Sequence, residues 1–202
     1  MKRFDIINQL IHTKQYKSYV EIGVRESSDC FERIKCPHKL SVDPEPRCVV
    51  SHKMTSDDFF TQNTERFDII FIDGLHLDHQ VAKDITNALK VLNPNGSIVL
   101  HDCYPQTEFA QREVYEVNGM FPAWNGTTWK AFVKFRTTEQ STNYAIHTVD
   151  TDHGCAIISP GTSELLTIED EIEYTNFKNN RYEWLNLISA NKFLKLINSG
   201  VI

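Results

Sequence analysis

The sequence of 202 residues lacks several features that would assign it to a common class of protein. It has no uninterrupted apolar run of the roughly 20 residues that a membrane-spanning helix needs. Its start, MKRFDIINQL, has neither the apolar core nor the cleavage site of a secretory signal peptide. The formal net charge is −6, so the basic surface required for nonspecific nucleic-acid binding is also missing. We therefore expect a cytoplasmic protein with no nucleic-acid partner and no membrane insertion.

Cysteine is present without the spacing of a disulfide framework or a zinc ribbon. The five cysteines are an odd number and form no CxxC motif, which favours reduced thiols. No sequence motif pairs Cys103 with a general base, so we do not expect nucleophilic catalysis by this residue.

Glycine is scarce where a dinucleotide-binding protein needs it most. The first strand-to-helix turn, residues 21–28, contains only Gly23. A dinucleotide fingerprint requires three glycines at fixed spacing, so a nicotinamide oxidoreductase is disfavoured. Asp43 ends the second expected strand, about 20 residues further on, where an acid commonly binds a ribose diol. The alternative for Asp43 is a turn aspartate before proline.

Apolar periodicity alternates between strands and helices along most of the chain. The expected strands are residues 18–22, 39–42, 49–54, 69–72, 98–100, 144–149 and 155–159. The expected helices are residues 4–12, 26–34, 78–92 and 129–136, with a short helix after Thr55. Asp152-His153-Gly154 is typical of a hairpin turn between the last two strands. This pattern predicts an α/β fold: a Rossmann-like, seven-stranded, mostly parallel sheet with one antiparallel strand and helices on both faces.

The pattern changes towards the end of the chain. We expect residues 1–163 to form one domain and residues 164–202 to form a helical C-terminal extension. This extension holds too many large apolar side chains for a disordered segment. Two possibilities stay open for it: packing on the domain, or forming the interface of a homodimer.

Polar residues follow two neighbouring strands of the expected sheet. Residues 69–72 lead into Asp73 and His76, and residues 98–100 lead into Asp102. In βαβ units the carboxyl ends of parallel strands form the ligand crevice. Two apposed carboxylates repel unless a cation or proton lies between them, and Mg²⁺ would suit such a site. His76 is a candidate general base; alternatively, Asp73 caps a turn and the histidines are solvated.

Two tryptophans flank a glycine turn in the segment WNGTTWK, residues 124–130. Aromatic faces bind rings and sugars well, so we place Trp124 at an acceptor pocket. We place Trp129 in the core, at the start of a helix.

Taken in order, these motifs resemble class I S-adenosylmethionine-dependent methyltransferases over roughly residues 18–160. The matching segments are EIG at 21–23, Asp43, SD at 56–57, FIDGLH at 71–76 and LNPNGSIVLHD at 92–102. The last two are similar to macrocin-type O-methyltransferases. WNGTTWK and NRYEWLN look like small methyltransferases encoded among bacterial surface-polysaccharide genes. Two residues depart from the pattern: Ser27 replaces a second glycine, and His101 replaces an acid before the last aspartate.

The resemblance implies a cofactor and a set of residue roles. S-adenosylmethionine would be bound by Glu21, Gly23, Asp43, Ser56, Asp57 and Asp73. Of these, Glu21 and Gly23 would contact the methionine part, Asp43 the ribose, and Ser56 and Asp57 the adenine. Asp73 and Asp102 would hold Mg²⁺, and His76 would be the catalytic base.

The implied activity is O-methylation of a sugar or glycan-precursor hydroxyl. The sulfonium of the cofactor carries a good leaving group, so the protein mainly has to align the attack and remove a proton. The alternative is a non-catalytic cofactor-binding module of a polysaccharide assembly complex, docked through its helical tail.

Overall fold

A seven-stranded sheet organises the chain in the computed structural model, which describes residues 1–202. The strands are β1 Ser18–Ile22, β2 His38–Val42, β3 Phe67–Ile72, β4 Leu92–Leu100, β5 Tyr144–Val149, β6 Cys155–Pro160 and β7 Leu187–Ile188. Their order is β2-β1-β3-β4-β6-β5-β7. Only β6 runs antiparallel to its neighbours, β4 and β5. The predicted fold class is confirmed.

Six α-helices flank the sheet. They are α1 Arg3–Lys14, α2 Ser56–Gln62, α3 Asp78–Val91, α4 Thr128–Arg136, α5 Tyr174–Trp184 and α6 Ala190–Asn198. The start of α2 follows from its capping residue, because the side chain of Thr55 accepts a hydrogen bond from the Asp58 backbone N–H. No helix combines the length and the apolar character needed to cross a membrane.

Two expected elements do not form. Residues 26–34 contain only a short 3₁₀ turn, Phe31–Arg33, in place of the predicted helix. The Glu32 backbone N–H donates to the Ser27 carbonyl at 2.9 Å, five residues earlier, which is out of the i→i−4 register of an α-helix. Residues 49–54 form only a single bridge, between His52 and Val42, in place of the predicted strand, and Val49 is 95% exposed. The seventh strand is β7 instead, which pairs in parallel with β5.

The alternation of side chains along the strands divides the core between the two faces of the sheet. On one face, Ile70 and Ile72 pack in a cluster with residues of α2, α3, α4 and α5. On the other face, Ile69 and Phe71 pack in a cluster with residues of α1 and α6. Both faces of β3 are buried, so successive residues of this strand are apolar rather than alternating between apolar and polar.

The C-terminal segment belongs to both halves of this core. Phe177 on α5 is fully buried against Trp129, with ring centroids 4.2 Å apart. Phe193 on α6 is fully buried in the cluster that includes α1. Arg136 donates a 2.7 Å hydrogen bond to the Trp184 carbonyl, which fixes the end of α5. Phe177, Trp184 and Phe193 of the tail are therefore covered within the chain, whereas Tyr182 stays 65% exposed.

Candidate active site

One cleft of about 950 Å³ lies at the carboxyl ends of the parallel strands. The residues that the sequence predicts for the site all line it: Glu21, Gly23, Asp43, Ser56, Asp57, Asp73, His76 and Asp102. These residues come from the carboxyl end of β1, from the segments that follow β1, β2, β3 and β4, and from the start of α2. The rule that ligands bind beyond the carboxyl ends of parallel strands accounts for this convergence.

The turn after β1 is built around a glycine that no other residue can replace. Gly23 has a φ of +87°, and a Cβ there would lie 2.3 Å from the carbonyl oxygen of Asp73. The turns after β1 and β3 are held together by the Asp73 backbone N–H, which donates to the Ile22 carbonyl at 2.8 Å. Gly23 is therefore required by the contact between these two turns. Its contact with a cofactor stays a prediction.

Asp43 fixes the same turn from the neighbouring strand. Its carboxylate accepts backbone N–H bonds from Val24 at 3.0 Å, Arg25 at 2.8 Å and Glu45 at 2.7 Å. A carboxylate has about four acceptor positions, so capacity remains for a ligand hydroxyl. The ribose-binding role of Asp43 stays a prediction.

Ser56 and Asp57 begin α2 and are tied to α3. The Gln80 amide donates to the Ser56 hydroxyl at 3.1 Å and to the Asp57 carboxylate at 2.9 Å. This places both residues at the rim of the cleft on the side of α2. Their role towards adenine also stays a prediction.

Two histidines lie between the two aspartates that the sequence places at the ends of β3 and β4. His101 Nδ1 is 2.9 Å from the Asp102 carboxylate and 3.2 Å from the Asp73 carboxylate. His76 has its Nδ1 3.3 Å from Asp102 and its Nε2 3.3 Å from Asp73. The imidazoles thus bridge the carboxylates, which would repel each other without them.

Positive charge compensates this acidic pair. Arg3 donates from Nη1 to Asp73 at 2.7 Å. Burial lowers the pKa of His101, but its contacts with Asp73 and Asp102 outweigh burial and hold that pKa well above its ordinary value. The two carboxylates therefore favour the charged, imidazolium form of His101. Burial raises the pKa of Asp73, yet the charge of His101 brings that pKa well below its usual range.

The cluster does not fit Mg²⁺, although ligand atoms of Asp73, His76 and Asp102 all lie within 4.8 Å of one another. Mg²⁺ takes an octahedron of oxygen ligands, whereas two imidazoles stand between these carboxylates. Both aspartates are also bonded to the His101 cation, and Asp73 is bonded to Arg3 as well. His101 and Arg3 therefore supply the positive charge that a metal ion would bring to these carboxylates.

Asp102 adopts a strained backbone conformation. Its φ of +57° lies in the left-handed region, which costs of order 1–3 kcal/mol for a residue other than glycine. Asn125 holds the side chain by donating to the Asp102 carboxylate at 3.1 Å and to the His153 carbonyl at 3.2 Å. This backbone conformation orients the buried carboxylate of Asp102 towards His76. Strained backbone of this kind is typical of functional sites.

The segment that contains Trp124 supports the loop of His76. The rings of Trp124 and His76 are stacked, with centroids 4.6 Å apart and planes inclined by 18°. The Thr127 backbone N–H donates to the His76 carbonyl at 2.8 Å. Trp124 lines the cleft, and its place at an acceptor pocket stays a prediction. Trp129 is fully buried in the core, as predicted.

Some residues of the site carried no sequence signal. Arg3 precedes Asp73 by 70 positions and reaches it only through the packing of α1. Asn125 lies 23 positions after Asp102. The sequence showed His101 at the end of the strand 98–100, as a weaker candidate than His76 and as a departure from the methyltransferase pattern. Its position between two aspartates depends on the pairing of β3 with β4.

We expect Gly126→Ala to lower the rate of the reaction carried by this site by up to about 10²-fold, the scale of an ångström-sized displacement. A Cβ at Gly126 would lie 2.0 Å from the His76 carbonyl oxygen, so the His76 loop would have to move. Gly119→Ala is a matched control, because Gly119 also has a positive φ but would meet nothing within 4 Å. Equal rates for the two variants in a steady-state assay would contradict this role of Gly126.

Comparison with known proteins addresses the fold. Residues 8–103 match a family described as "Methyltransferase domain". The O-methyltransferase TomG from Streptomyces achromogenes, solved in complex with S-adenosylmethionine, aligns over 78% of this chain and 79% of its own at 13% identity and a TM-score of 0.55. The methyltransferase PaMTH1 from Podospora anserina, solved with S-adenosylhomocysteine, aligns over 76% of each chain at 17% identity and a TM-score of 0.51. No curated protein matches the sequence. At these identities the structural likeness concerns the fold.

Proposed function

We propose that this chain, which has the fold of a class I S-adenosylmethionine-dependent methyltransferase, methylates a hydroxyl group of a sugar or glycan precursor. The observation that carries the proposal is the position of His76. Its imidazole lies between two carboxylates and against the face of Trp124, in the same cleft as the expected cofactor residues.

The cleft suits a nucleoside cofactor together with an acceptor. Its volume of about 950 Å³ is near the upper end of the range for small-molecule sites, roughly 300–1,000 Å³. Asp43 stands at the end of β2 with acceptor capacity for a ribose, and Ser56 and Asp57 stand at the start of α2. TomG and PaMTH1, which share the fold, were solved with S-adenosylmethionine and S-adenosylhomocysteine respectively.

The proposed role of His76 is to remove the proton of the acceptor hydroxyl. Burial lowers the pKa of His76, but its hydrogen bond to Asp73 and the charge of Asp102 outweigh burial and raise that pKa above its ordinary value. An acceptor hydroxyl that replaces one carboxylate contact would give its proton to the imidazole. The remaining carboxylate would then stabilise the imidazolium. The cofactor supplies the methyl group, and the protein aligns the hydroxyl for the attack.

An aromatic wall supports a sugar as the acceptor. The rings of Tyr115 and Trp124 lie 5.1 Å apart, and those of Tyr115 and Phe121 lie 5.0 Å apart. All three residues line the cleft, and Phe121 is 60% exposed. Arg112 holds this wall in shape through hydrogen bonds to backbone carbonyls, including those of Tyr115 and Pro122 at 2.9 Å each. A wall of half-buried and exposed aromatic rings beside the proposed base is suited to a sugar ring.

The first experiment measures cofactor binding by calorimetry. We expect S-adenosylhomocysteine to bind with a micromolar dissociation constant, a binding free energy on the order of 7–9 kcal/mol, and NAD not to bind. Absence of heat with S-adenosylhomocysteine would refute the proposal. Binding without methyl transfer to any of a panel of sugars and nucleotide sugars would favour the non-catalytic module.

We further expect the transfer reaction to continue in EDTA at an unchanged rate. The reason is that His101 and Arg3 already neutralise the carboxylates that a metal ion would bridge. The measurement is methyl transfer before and after dialysis against EDTA, followed by addition of Mg²⁺. Loss of activity in EDTA and its recovery with Mg²⁺ would show that the aspartates bind metal during the reaction.

A further inference from the structure

Arg3 stands at the edge of the cleft, where it pairs with Asp73 but has no assigned role towards a ligand. It is the first residue of α1 and lies outside the segment that matches the methyltransferase family. Its side chain is 23% exposed and lines the cleft together with Glu21, Gly23 and Asp73. A residue at the start of the chain thus reaches the carboxyl ends of the central strands.

Two nitrogens of the Arg3 guanidinium are held by carboxylates. Nη1 donates to Asp73 at 2.7 Å, and Nε donates to Asp152 at 3.0 Å. Asp152 is 3% exposed and also accepts the Arg3 backbone N–H at 3.0 Å, so the turn between β5 and β6 anchors the start of α1. The third nitrogen, Nη2, makes no hydrogen bond within the protein. The guanidinium is therefore rigidly placed and keeps donor capacity for a ligand.

The other arginines of the cleft are less suited to this end of it. Arg25 donates to the hydroxyl of Tyr115 at 3.1 Å, on the aromatic wall. Arg47 is 63% exposed and lies 3.9 Å from Glu26. Arg3 is the arginine that lies against the turn after β3, beside Gly23. Burial raises the pKa of nearby Glu21 to about 8, so this residue is mostly uncharged at neutral pH and does not repel an anion.

We propose that Arg3 binds the carboxylate of the methionine moiety of S-adenosylmethionine through its free Nη2 edge, while Asp73 accepts the ammonium group. The assignment rests on the proposed function. The amino-acid end of the cofactor carries one negative and one positive charge. The Arg3–Asp73 pair presents the complementary charges side by side, and hydrogen bonds between charged groups are the stronger kind.

The test compares S-adenosylhomocysteine with its decarboxylated analogue by calorimetry. Wild-type protein should bind the analogue about 10- to 100-fold more weakly, as expected for loss of a charge-assisted contact. Arg3→Met should weaken S-adenosylhomocysteine binding by a similar factor and leave the analogue within about threefold. Lys2→Met is the matched control, because Lys2 also pairs with Asp152, at 2.9 Å, but does not line the cleft. It should leave both affinities unchanged.

Several outcomes would overturn the inference. Equal binding of the two ligands by wild-type protein would show that the carboxylate is not recognised. If Arg3→Met lowers the affinity for both ligands by the same factor, Arg3 only supports the structure of the cleft. If Arg3→Met does not fold, the comparison of the two ligands on wild-type protein still tests the inference. Arg3→Lys, which keeps the charge, then replaces Arg3→Met and should retain a preference for the carboxylated ligand. Failure of wild-type protein to bind either ligand would instead refute the proposed function.

Discussion

His76→Ala is expected to lower kcat by about 10²–10⁴, the range for loss of a positioned general base. The imidazole lies 3.3 Å from both Asp73 and Asp102, so its removal takes away the proton acceptor and leaves two carboxylates facing each other. Affinity for S-adenosylhomocysteine should stay nearly the same, because His76 would face the acceptor. Steady-state kinetics and calorimetry on the same preparation measure both quantities.

An exposed histidine provides the control for this variant. His79 lies three residues further on, in the first turn of α3, and His79→Ala should keep the wild-type rate. The pH profile gives a second test. His76 must be unprotonated to accept a proton, and its pKa is raised, so the wild-type rate should increase with pH through a value above 6.5. Full activity of His76→Ala on the true acceptor would remove His76 from the mechanism.

Phe177→Ala is expected to lower the free energy of unfolding by about 3–5 kcal/mol, the usual loss for a large buried aromatic side chain. Phe177 is fully buried and packs on Trp129, which lies in the first turn of α4, close to the loop of His76. The cavity would therefore form inside the core that the tail shares with the rest of the chain. Urea unfolding followed by tryptophan fluorescence gives the measurement.

Tyr182→Ala, on the same helix, is the matched control. Tyr182 is 65% exposed, so its removal should change the free energy of unfolding by no more than about 0.5 kcal/mol. Truncation after Ser163 should have a larger effect than either substitution, because it removes β7 together with α5 and α6. An unchanged melting temperature after truncation would show that the tail does not stabilise the fold.

The sequence specified the position of the cleft because the relevant rules are local. Residues 69–72 form an apolar strand that ends at Asp73, and residues 98–100 form another that ends at His101 and Asp102. The helix between them forces the strands to be parallel, which brings their carboxyl ends to one edge of the sheet. The hairpin at Asp152-His153-Gly154 was equally readable, since two strands and a glycine turn suffice to predict it.

Other parts of the fold depended on pairing and packing contacts with segments that are distant in the sequence. Residues 49–54 have the composition of a strand, but they pair with β2 at a single bridge only, between His52 and Val42, and Val49 stays exposed. Residues 187–188 show no strand pattern, yet they join the sheet because α5 and α6 bring them beside β5. Strand formation depends on cross-strand contacts as well as on propensity, so such assignments escape a local reading.

The sequence by itself determined the α/β architecture, the strand-end aspartates and the approximate place of His76. Only the tertiary structure decided their electrostatic state. His101 lies between Asp73 and Asp102, and Arg3 joins them from a position 70 residues earlier in the chain. The sequence pattern shows that two carboxylates meet. Which cation lies between them depends on the side chains that tertiary packing brings within hydrogen-bond distance. That is a property of long-range contacts, and local periodicity does not encode it.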